Sequence, residues 1–293
     1  MSEPKPPGAV PIRLMRPDDL GAAHELRALA GWNQSERDWR GFLAYEPEGC
    51  FVAELGGRVV GTATTIRYGR RFGWIGMVLV HPEWRRHGIG SALLRHAIAS
   101  LQAAGVETVK LDATPQGRTV YLPLGFTDEY GLARYAGVAP VASTVAGAGI
   151  EIGPWLETDD AEVGALDAEA FGAERGRVLR TLARRHPELA WVARKDGQVA
   201  GCLCGRIGAT TVQVGPWVAR DAEVAAALLR AFFAAVAGRR VFFDVLDSCA
   251  GAKALLEAER FTVQRRLTRM FLGPNRHPGR PDLVFGISSP EQG

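Results

Sequence analysis

The chain lacks several features that would assign it to a common class of protein. It has four cysteines among 293 residues, Cys50, Cys202, Cys204 and Cys249, and their spacing suits neither a Cys-x-x-Cys metal site nor a disulfide framework. No apolar run approaches the roughly 20 residues of a membrane span. A net charge of +3 is too small to indicate nucleic-acid binding. We therefore expect no metal, no membrane and no nucleic acid as partners, and a reducing, cytoplasmic location.

Two nucleotide-binding signatures are also missing. A Walker loop needs Gly, four residues and then Gly-Lys-Ser or Gly-Lys-Thr, and the chain has no such string. A dinucleotide-binding fold needs a third small residue after Gly-x-Gly, but Gly88 and Gly90 are followed by Leu93 at that position. Neither of these folds is therefore favoured.

Length and composition predict a chain of two domains. The chain exceeds the roughly 100–200 residues of one domain, and 47% hydrophobic with 23% charged residues is enough for two cores. The proline-rich residues 1–10 predict a disordered lead rather than a signal peptide. Residues 274–293 also contain several prolines and predict a weakly ordered tail.

One loop has the composition of a phosphate-binding site. Residues 74–80 form a short apolar run that predicts a buried strand, and from Ser91 onward apolar residues recur at helical spacing. Between them, Gly88 and Gly90 allow the backbone to turn tightly and to approach an anion. The free amides and positive dipole end of the helix would favour that anion. The predicted binding segment comprises Arg85, Arg86, His87, Gly88, Ile89, Gly90 and Ser91.

The same loop resembles the acetyl-CoA signature of the GNAT superfamily of N-acetyltransferases. Arg85-x-x-Gly88-x-Gly90 follows the apolar strand, and the segment 121–126, Tyr-Leu-Pro-Leu-Gly-Phe, is similar to the family's Tyr-x-x-x-Gly-Phe element. The resemblance covers residues 11–135. It implies an α/β (α+β) fold in which a mixed central sheet is flanked by helices.

The resemblance also implies the reaction. Members of the family transfer the acetyl group of acetyl-CoA to a primary amine by direct attack in a ternary complex. The thioester and pantetheine arm would lie along the backbone of Val78, Leu79 and Val80. Tyr121 is the expected general acid, because a phenol with a pKa of about 10 is protonated at neutral pH.

A general base is harder to find. The strand before the loop, residues 74–80, contains no carboxylate. Asp112 is one candidate, but Asp247 stands 135 residues later in what is predicted below to be a second copy, which favours a structural role. His81 is the next candidate by position and pKa. A water chain, or an amine that arrives partly deprotonated, would need no base.

The acceptor amine is expected near residues 31–39. Trp32 could line a pocket and Glu36 could attract an ammonium group. Trp39 precedes further apolar residues at helical spacing and is predicted to lie in the core. Ser35-x-x-Asp38 predicts a helix cap.

The second half of the chain also partly repeats the sequence of the first half. Residues 51–61 and 191–201 share Val, Ala, Gly, Val and Gly at matching positions 140 residues apart, and each predicts a hairpin. The second copy has no glycine in its loop at 219–227 and has Leu256 where Tyr121 stands in the first. We therefore expect tandem GNAT folds: a catalytic domain at 11–135, a linker at 136–149 and a degenerate domain at 150–273.

Three functions remain open. The first is acetylation of a small amine, by a monomer or a homodimer. The second is acetylation of a protein lysine or N-terminus, with the second domain as a docking surface. The third is a non-catalytic sensor of acyl-CoA.

Overall fold

In the computed structural model, the described residues are 10–141 and 149–293, and they fall into two compact units, the first of which ends at Val109. The predicted lead of residues 1–10 lies almost entirely outside the described residues. Within the two described ranges, no helix is both long and apolar enough to cross a membrane.

The first unit contains an antiparallel sheet whose strands lie side by side in chain order. Gly56 and Gly57, at φ values of 54° and 77°, form the turn of the predicted hairpin at 51–61. Most of the β3 side chains between the two ends are buried. The strands are β1 (Ile12–Leu14), β2 (Cys50–Leu55), β3 (Arg58–Tyr68) and β4 (Phe72–Val80).

Three helices of the first unit pack against β3. They are α1 (Leu20–Leu29), α2 (Glu36–Tyr45) and α3 (Ile89–Ala103). The predicted cap of α2 is confirmed, because the Asp38 carboxylate accepts hydrogen bonds from the backbone N (2.6 Å) and Oγ (2.9 Å) of Ser35. Trp39 is fully buried, as expected of a core residue. The apolar stripe predicted for α3 is buried at Leu93, Leu94, Ala97, Ile98 and Leu101.

The second unit contains a mixed sheet with one parallel pair, β10 with β11, among the pairings described. Its strands run across the sheet in the order β5, of which residues from Lys110 onward belong to this unit, then β12, β6, β11, β10, β9, β8 and β7, and β13 pairs with β10. Their bounds are β5 (Thr108–Ala113), β6 (Thr127–Val138), β7 (Glu151–Pro154), β8 (Ala190–Lys195), β9 (Gln198–Ile207), β10 (Val212–Ala219), β11 (Arg240–Leu246), β12 (Thr262–Leu272) and β13 (Val284–Gly286).

Helices cover both faces of this sheet. Cys202 and Cys204 lie in one apolar cluster with residues of α5 and α6, while Leu203 between them lies in another cluster with residues of α7 and α8. Because side chains alternate along a strand, these clusters lie on opposite faces. The prediction that both cysteines are core residues is confirmed. The helices are α4 (Pro115–Tyr121), α5 (Asp160–Phe171), α6 (Gly176–Arg185), α7 (Ala222–Ala235) and α8 (Ala250–Ala258).

The last strands of the two copies are exchanged. β6, the last strand of the first copy, pairs with β11 and β12 of the second, and β12 lies between β5 and β6. This exchange places residues 110–135 in the second compact unit, so that unit does not begin at the predicted boundary after residue 135. The predicted linker 136–149 is also too long, because β6 extends to Val138. Residues 142–148 of that linker lie outside the described residues.

Two buried ion pairs connect each exchanged strand to a strand of the other copy. Asp112 on β5 accepts hydrogen bonds from Nε (2.8 Å) and Nη2 (2.9 Å) of Arg269 on β12. Asp244 on β11 accepts the equivalent bonds, 2.8 and 2.6 Å long, from Arg134 on β6. Asp112 therefore has the structural contacts expected of it. Its counterpart is Asp244, however, and the expected match with Asp247 is wrong, because Asp247 lies beyond the end of β11.

The predicted tail is part of the fold. The prolines of residues 274–293 led to the expectation of weak order, and that expectation is wrong. Strand β13 is antiparallel to β10, and the backbone N of Ile287 donates to the carbonyl oxygen of Asp244 at 2.9 Å. The carboxylate of Glu291 is buried and lies 2.6 Å from Nη2 of Arg206. Pairing with strands far away in sequence gives this segment its order.

Candidate active site

Strand β4 contains a bulge just before its end. Its register against β3 shifts by one residue between Thr62 and Thr64, so that Met77 and Val78 together lie opposite one residue. Met77 has a φ of 50°, a conformation that costs a non-glycine residue of order 1–3 kcal/mol. The carbonyl oxygen of Met77 accepts a hydrogen bond of 2.8 Å from Oγ1 of Thr62. A bulge interrupts the regular ladder, so backbone groups at such a position can take partners other than the neighbouring strand, as the Met77 carbonyl does here.

The loop after β4 places two residues in the left-handed region. Arg86 has a φ of 65°, and Gly88 has a φ of 78° and forms the N-cap of α3. A Cβ on Gly88 would contact nothing within 4 Å, so space does not require glycine here. The left-handed backbone conformation is what favours glycine at this position. Because glycine has no side chain, the N-cap provides no acceptor for the first amides of the helix. Those amides are thus available to an anion.

The charged side chains of the loop surround this helix end. Nε of Arg85 donates to the carbonyl oxygen of Val80 at 3.2 Å, and Nδ1 of His87 lies 2.8 Å from the carbonyl oxygen of Arg85. Arg86 is exposed and has no partner among the described residues. Ile89 is buried and anchors the first turn of α3. Gly90 and Ser91 follow it in that turn. The local sequence thus brings the predicted binding segment together at one place.

His81 lies at the start of this loop and is buried. Nη2 of Arg58 lies 3.1 Å from its Nε2, and because a guanidinium group can only donate, Nε2 is the acceptor in this contact. The carboxylate of Glu83 lies 3.8 Å from Nδ1. The backbone N of Glu83 also lies 3.4 Å from Nδ1, so both ring nitrogens of His81 have polar neighbours within the chain.

The two acceptor-site candidates differ in exposure. Trp32 is half-buried, and its backbone N and O are both hydrogen-bonded to Arg27. Glu36 is exposed and forms an ion pair of 2.6 Å with Arg40 one helical turn later. Arg27 and Gln34 are buried polar residues that the sequence did not single out, and each has one buried atom without a hydrogen-bond partner, Nε and Oε1 respectively. For Arg27, the available signal was a charged side chain on the otherwise apolar buried face of α1.

Tyr121 lies at the end of α4, in the second unit. Its ring packs against Phe126, with 6.0 Å between ring centroids, and its hydroxyl has no hydrogen-bond partner among the described residues. A Cβ on Gly117 would lie 3.2 Å from the hydroxyl oxygen, so glycine preserves space there. Burial raises the pKa of Tyr121 to about 12. The phenol is therefore protonated at neutral pH and can donate a proton.

Metal ligands do not converge near these residues. Among the described residues, no group of three or more His, Cys, Asp or Glu side chains is placed to hold a metal ion. The candidate residues described above provide backbone amides, guanidinium groups and an imidazole in the first unit, and a phenol in the second.

In comparisons with known proteins, each of the two copies matches a model of GNAT acetyltransferases. A model of the GNAT acetyltransferase family matches residues 20–126, and a model of a GNAT acetyltransferase domain matches residues 163–286. An uncharacterized N-acetyltransferase of Bacillus subtilis is 24% identical over 222 residues, which is 72% of this chain and 77% of that protein. An acetyltransferase of Pectobacterium atrosepticum is 34% identical over 104 residues, or 34% of this chain and 73% of that protein.

A solved structure extends the similarity to the whole chain. It is that of a candidate acetyltransferase of Pyrococcus horikoshii, which is 25% identical and superimposes with a TM-score of 0.81. The match covers 100% of this chain and 99% of the other.

Proposed function

This chain belongs to the GNAT family of acetyltransferases, and on that basis we propose that residues 11–135 transfer the acetyl group of acetyl-CoA to a small primary amine. The observation that carries the proposal is the bulged strand β4, which leads directly into a loop with two left-handed residues at the N-terminus of α3. A bulge and an uncapped helix end are backbone features that suit an elongated ligand with a pyrophosphate.

The loop would hold the pyrophosphate. Arg85 and Arg86 supply positive charge, His87 a further donor, and the first-turn amides of α3 direct donors. The backbone of residues 78–80 would contact the thioester carbonyl and the pantetheine amides. When bound, acetyl-CoA supplies an activated acetyl group: the amine nitrogen forms a bond to the carbonyl carbon while the bond from carbon to sulfur breaks.

Tyr121 is the proposed proton donor to the departing thiolate. Its raised pKa keeps the phenol protonated, and its hydroxyl is not engaged by another described group. The contact of His81 with Arg58 competes with a role as base, so we propose that water takes the proton of the amine. Trp32 and Glu36 are proposed to lie at the acceptor side. Four free cysteines suit a reducing compartment such as the cytoplasm.

The second copy is proposed to bind no cofactor, and its helix end supports this. Asp221 is the N-cap of α7, and its Oδ1 accepts a hydrogen bond of 2.9 Å from the backbone N of Val224. A carboxylate thus occupies the position where the first copy has Gly88. It satisfies an amide that a phosphate would need, and its charge would repel that phosphate.

Strand β13 supports the same proposal. β10 and β11 pair only over three residues of each strand, and beyond that point β13 pairs with β10 while Ile287 bonds to β11. The carbonyl oxygen of Ile287 approaches Gly215 of β10 so closely that a Cβ there would overlap it. In this copy, the chain itself fills the space between the two strands, where the first copy is proposed to bind acetyl-CoA.

Release of free CoA thiol tests the activity. The full chain is incubated with acetyl-CoA and, separately, small amines, polyamines, aminoglycosides and peptides. We expect release that depends on a small amine. Release only with peptides would instead establish a protein acetyltransferase, and tight CoA binding without any acceptor would establish a sensor.

Calorimetric titration with CoA tests the single site. The expected stoichiometry is one CoA per chain. A stoichiometry of two would contradict the proposal for the second copy.

A further inference from the structure

Thr62 makes a buried hydrogen bond to the bulged strand β4. It lies on β3, is fully buried, and donates from Oγ1 to the carbonyl oxygen of Met77 at 2.8 Å. Met77 is the residue of β4 at a φ of 50°, where the register shifts. A side-chain hydroxyl therefore contacts the irregular strand at the residue immediately before Val78.

The neighbouring threonines of β3 do not share this contact. Thr64 is also fully buried, but its Oγ1 has no hydrogen-bond partner. Oγ1 of Thr65 donates to the carbonyl oxygen of Gly49, away from β4. Among these buried threonines of one strand, Thr62 is thus the one whose hydroxyl reaches the bulge.

We propose that Thr62 is a positioning residue for the acetyl-CoA site. Its hydroxyl donates to the carbonyl of Met77 and thereby stabilises the left-handed backbone conformation of that residue. This conformation sets the direction of the backbone amides of Val78 and the residues after it, which are proposed to contact the thioester and the pantetheine. This inference rests on the proposed function. Thr62 acts through the backbone of β4 and does not itself touch the acetyl group.

The residue at the equivalent position of the second copy is consistent with this role. The residue that stands 140 positions after Thr62 is Cys202, which lies in the apolar core. The bulge of the second copy is formed by Gly215 and Pro216, and Gly215 has a φ of 145°, which glycine adopts freely. The copy that is proposed to bind no cofactor has no threonine at this position.

Three substitutions separate the hydroxyl from the shape of the side chain. Thr62→Val keeps the volume but leaves the Met77 carbonyl without its donor, Thr62→Ser keeps the donor, and Thr64→Val is a matched control in which no hydrogen bond is lost. CoA affinity of the full chain is measured by calorimetry, and thermal unfolding is recorded for each variant. We expect Thr62→Val to bind CoA about tenfold more weakly, because a buried hydrogen bond is lost. Thr62→Ser and Thr64→Val should bind within about twofold of wild type.

The possible outcomes distinguish failure of this inference from failure of the proposed function. If wild type binds CoA and Thr62→Val binds equally well, the inference fails while the proposed function stands. If wild type does not bind CoA, the proposed function fails and the inference with it. If Thr62→Ser is as weak as Thr62→Val, packing rather than the hydroxyl is responsible, and the inference is overturned.

A further variant covers the case in which Thr62→Val does not fold. Thr62→Cys introduces the residue of the second copy and keeps a similar volume with a weaker donor. It should bind CoA more weakly than Thr62→Ser does. Equal affinities of the Cys and Ser variants would contradict the inference.

Discussion

The two copies within this chain share one local framework and differ in what lies at its bulge and at its helix end. Each has a hairpin, a bulged strand and a helix that follows it. In the first copy, Gly88 leaves the helix end uncapped, and the bulge at Met77 is held by Thr62. In the second copy, Asp221 caps the helix, and β13 lies against the bulged strand.

This difference teaches that the framework alone does not make a cofactor site. A bulge and a helix N-terminus provide backbone groups that need partners, and the partner can be either a ligand or the chain itself. A few residues decide which of these applies.

Removing either buried carboxylate that pairs with an arginine of an exchanged strand should lower stability the most. Asp112→Ala and Asp244→Ala each leave a buried arginine without its partner, so we expect each to lower the free energy of unfolding by about 3–5 kcal/mol. Chemical denaturation measures this. Asp128→Ala is the control, because its pair with Arg118 is exposed and is worth less than about 1 kcal/mol. A large difference between the two buried sites would show that they are not equivalent.

Shortening Phe285 should destabilise the second copy without affecting CoA binding. Its ring is buried and lies 5.4 Å from the ring of Trp217. Phe285→Ala should lower the free energy of unfolding by about 3–5 kcal/mol. The affinity for CoA at a temperature well below unfolding should be unchanged. A second CoA site in this variant would show that β13 had been the only barrier to binding.

Tyr121→Phe should lower turnover about a hundredfold or more while leaving CoA affinity within about twofold, because only the proton donor is lost. Steady-state rates with an identified acceptor measure the turnover number. In the wild type, the pKa of Tyr121 at about 12 means that loss of its proton should not reduce the rate near pH 10. An unchanged rate in the variant would remove Tyr121 from the mechanism.

Gly88→Ala should weaken CoA binding about tenfold, since a left-handed conformation costs a residue with a Cβ roughly 1–2 kcal/mol. Gly21→Ala is the matched control, because Gly21 lies in α1 with open space around it and no positive φ. Calorimetry with CoA checks both variants. Equal affinities would show that the loop tolerates alanine and that its glycine is not required.

Local features of the site were predictable from the sequence. The hairpin at 51–61, the strand before the loop, the cap at Ser35 and the buried face of α3 all follow from spacing within a few residues. Thr62 could not be selected in the same way. Three threonines occur within four residues of β3, and only the register against β4 shows which hydroxyl meets the bulge.

The predictions that failed were those that depend on contacts between distant segments. The match of Asp112 with Asp247 carried the 135-residue offset of the segment around Tyr121 back to β5, whereas the structure pairs Asp112 and Asp244 with arginines of exchanged strands. The prolines of residues 274–293 suggested weak order, because local composition contains no information about the strand that β13 joins.

The internal duplication, the predicted phosphate-binding loop and the family follow from the amino-acid sequence alone, since each depends on residues that are close together in the chain. The exchange of β6 and β12, the pairing of β13 with β10 and the contact of Thr62 with Met77 are visible only in the folded chain. The physical reason is that strand order and register are set by hydrogen bonds and packing between segments far apart in sequence. Local patterns specify which segments form strands, but not which strands become neighbours.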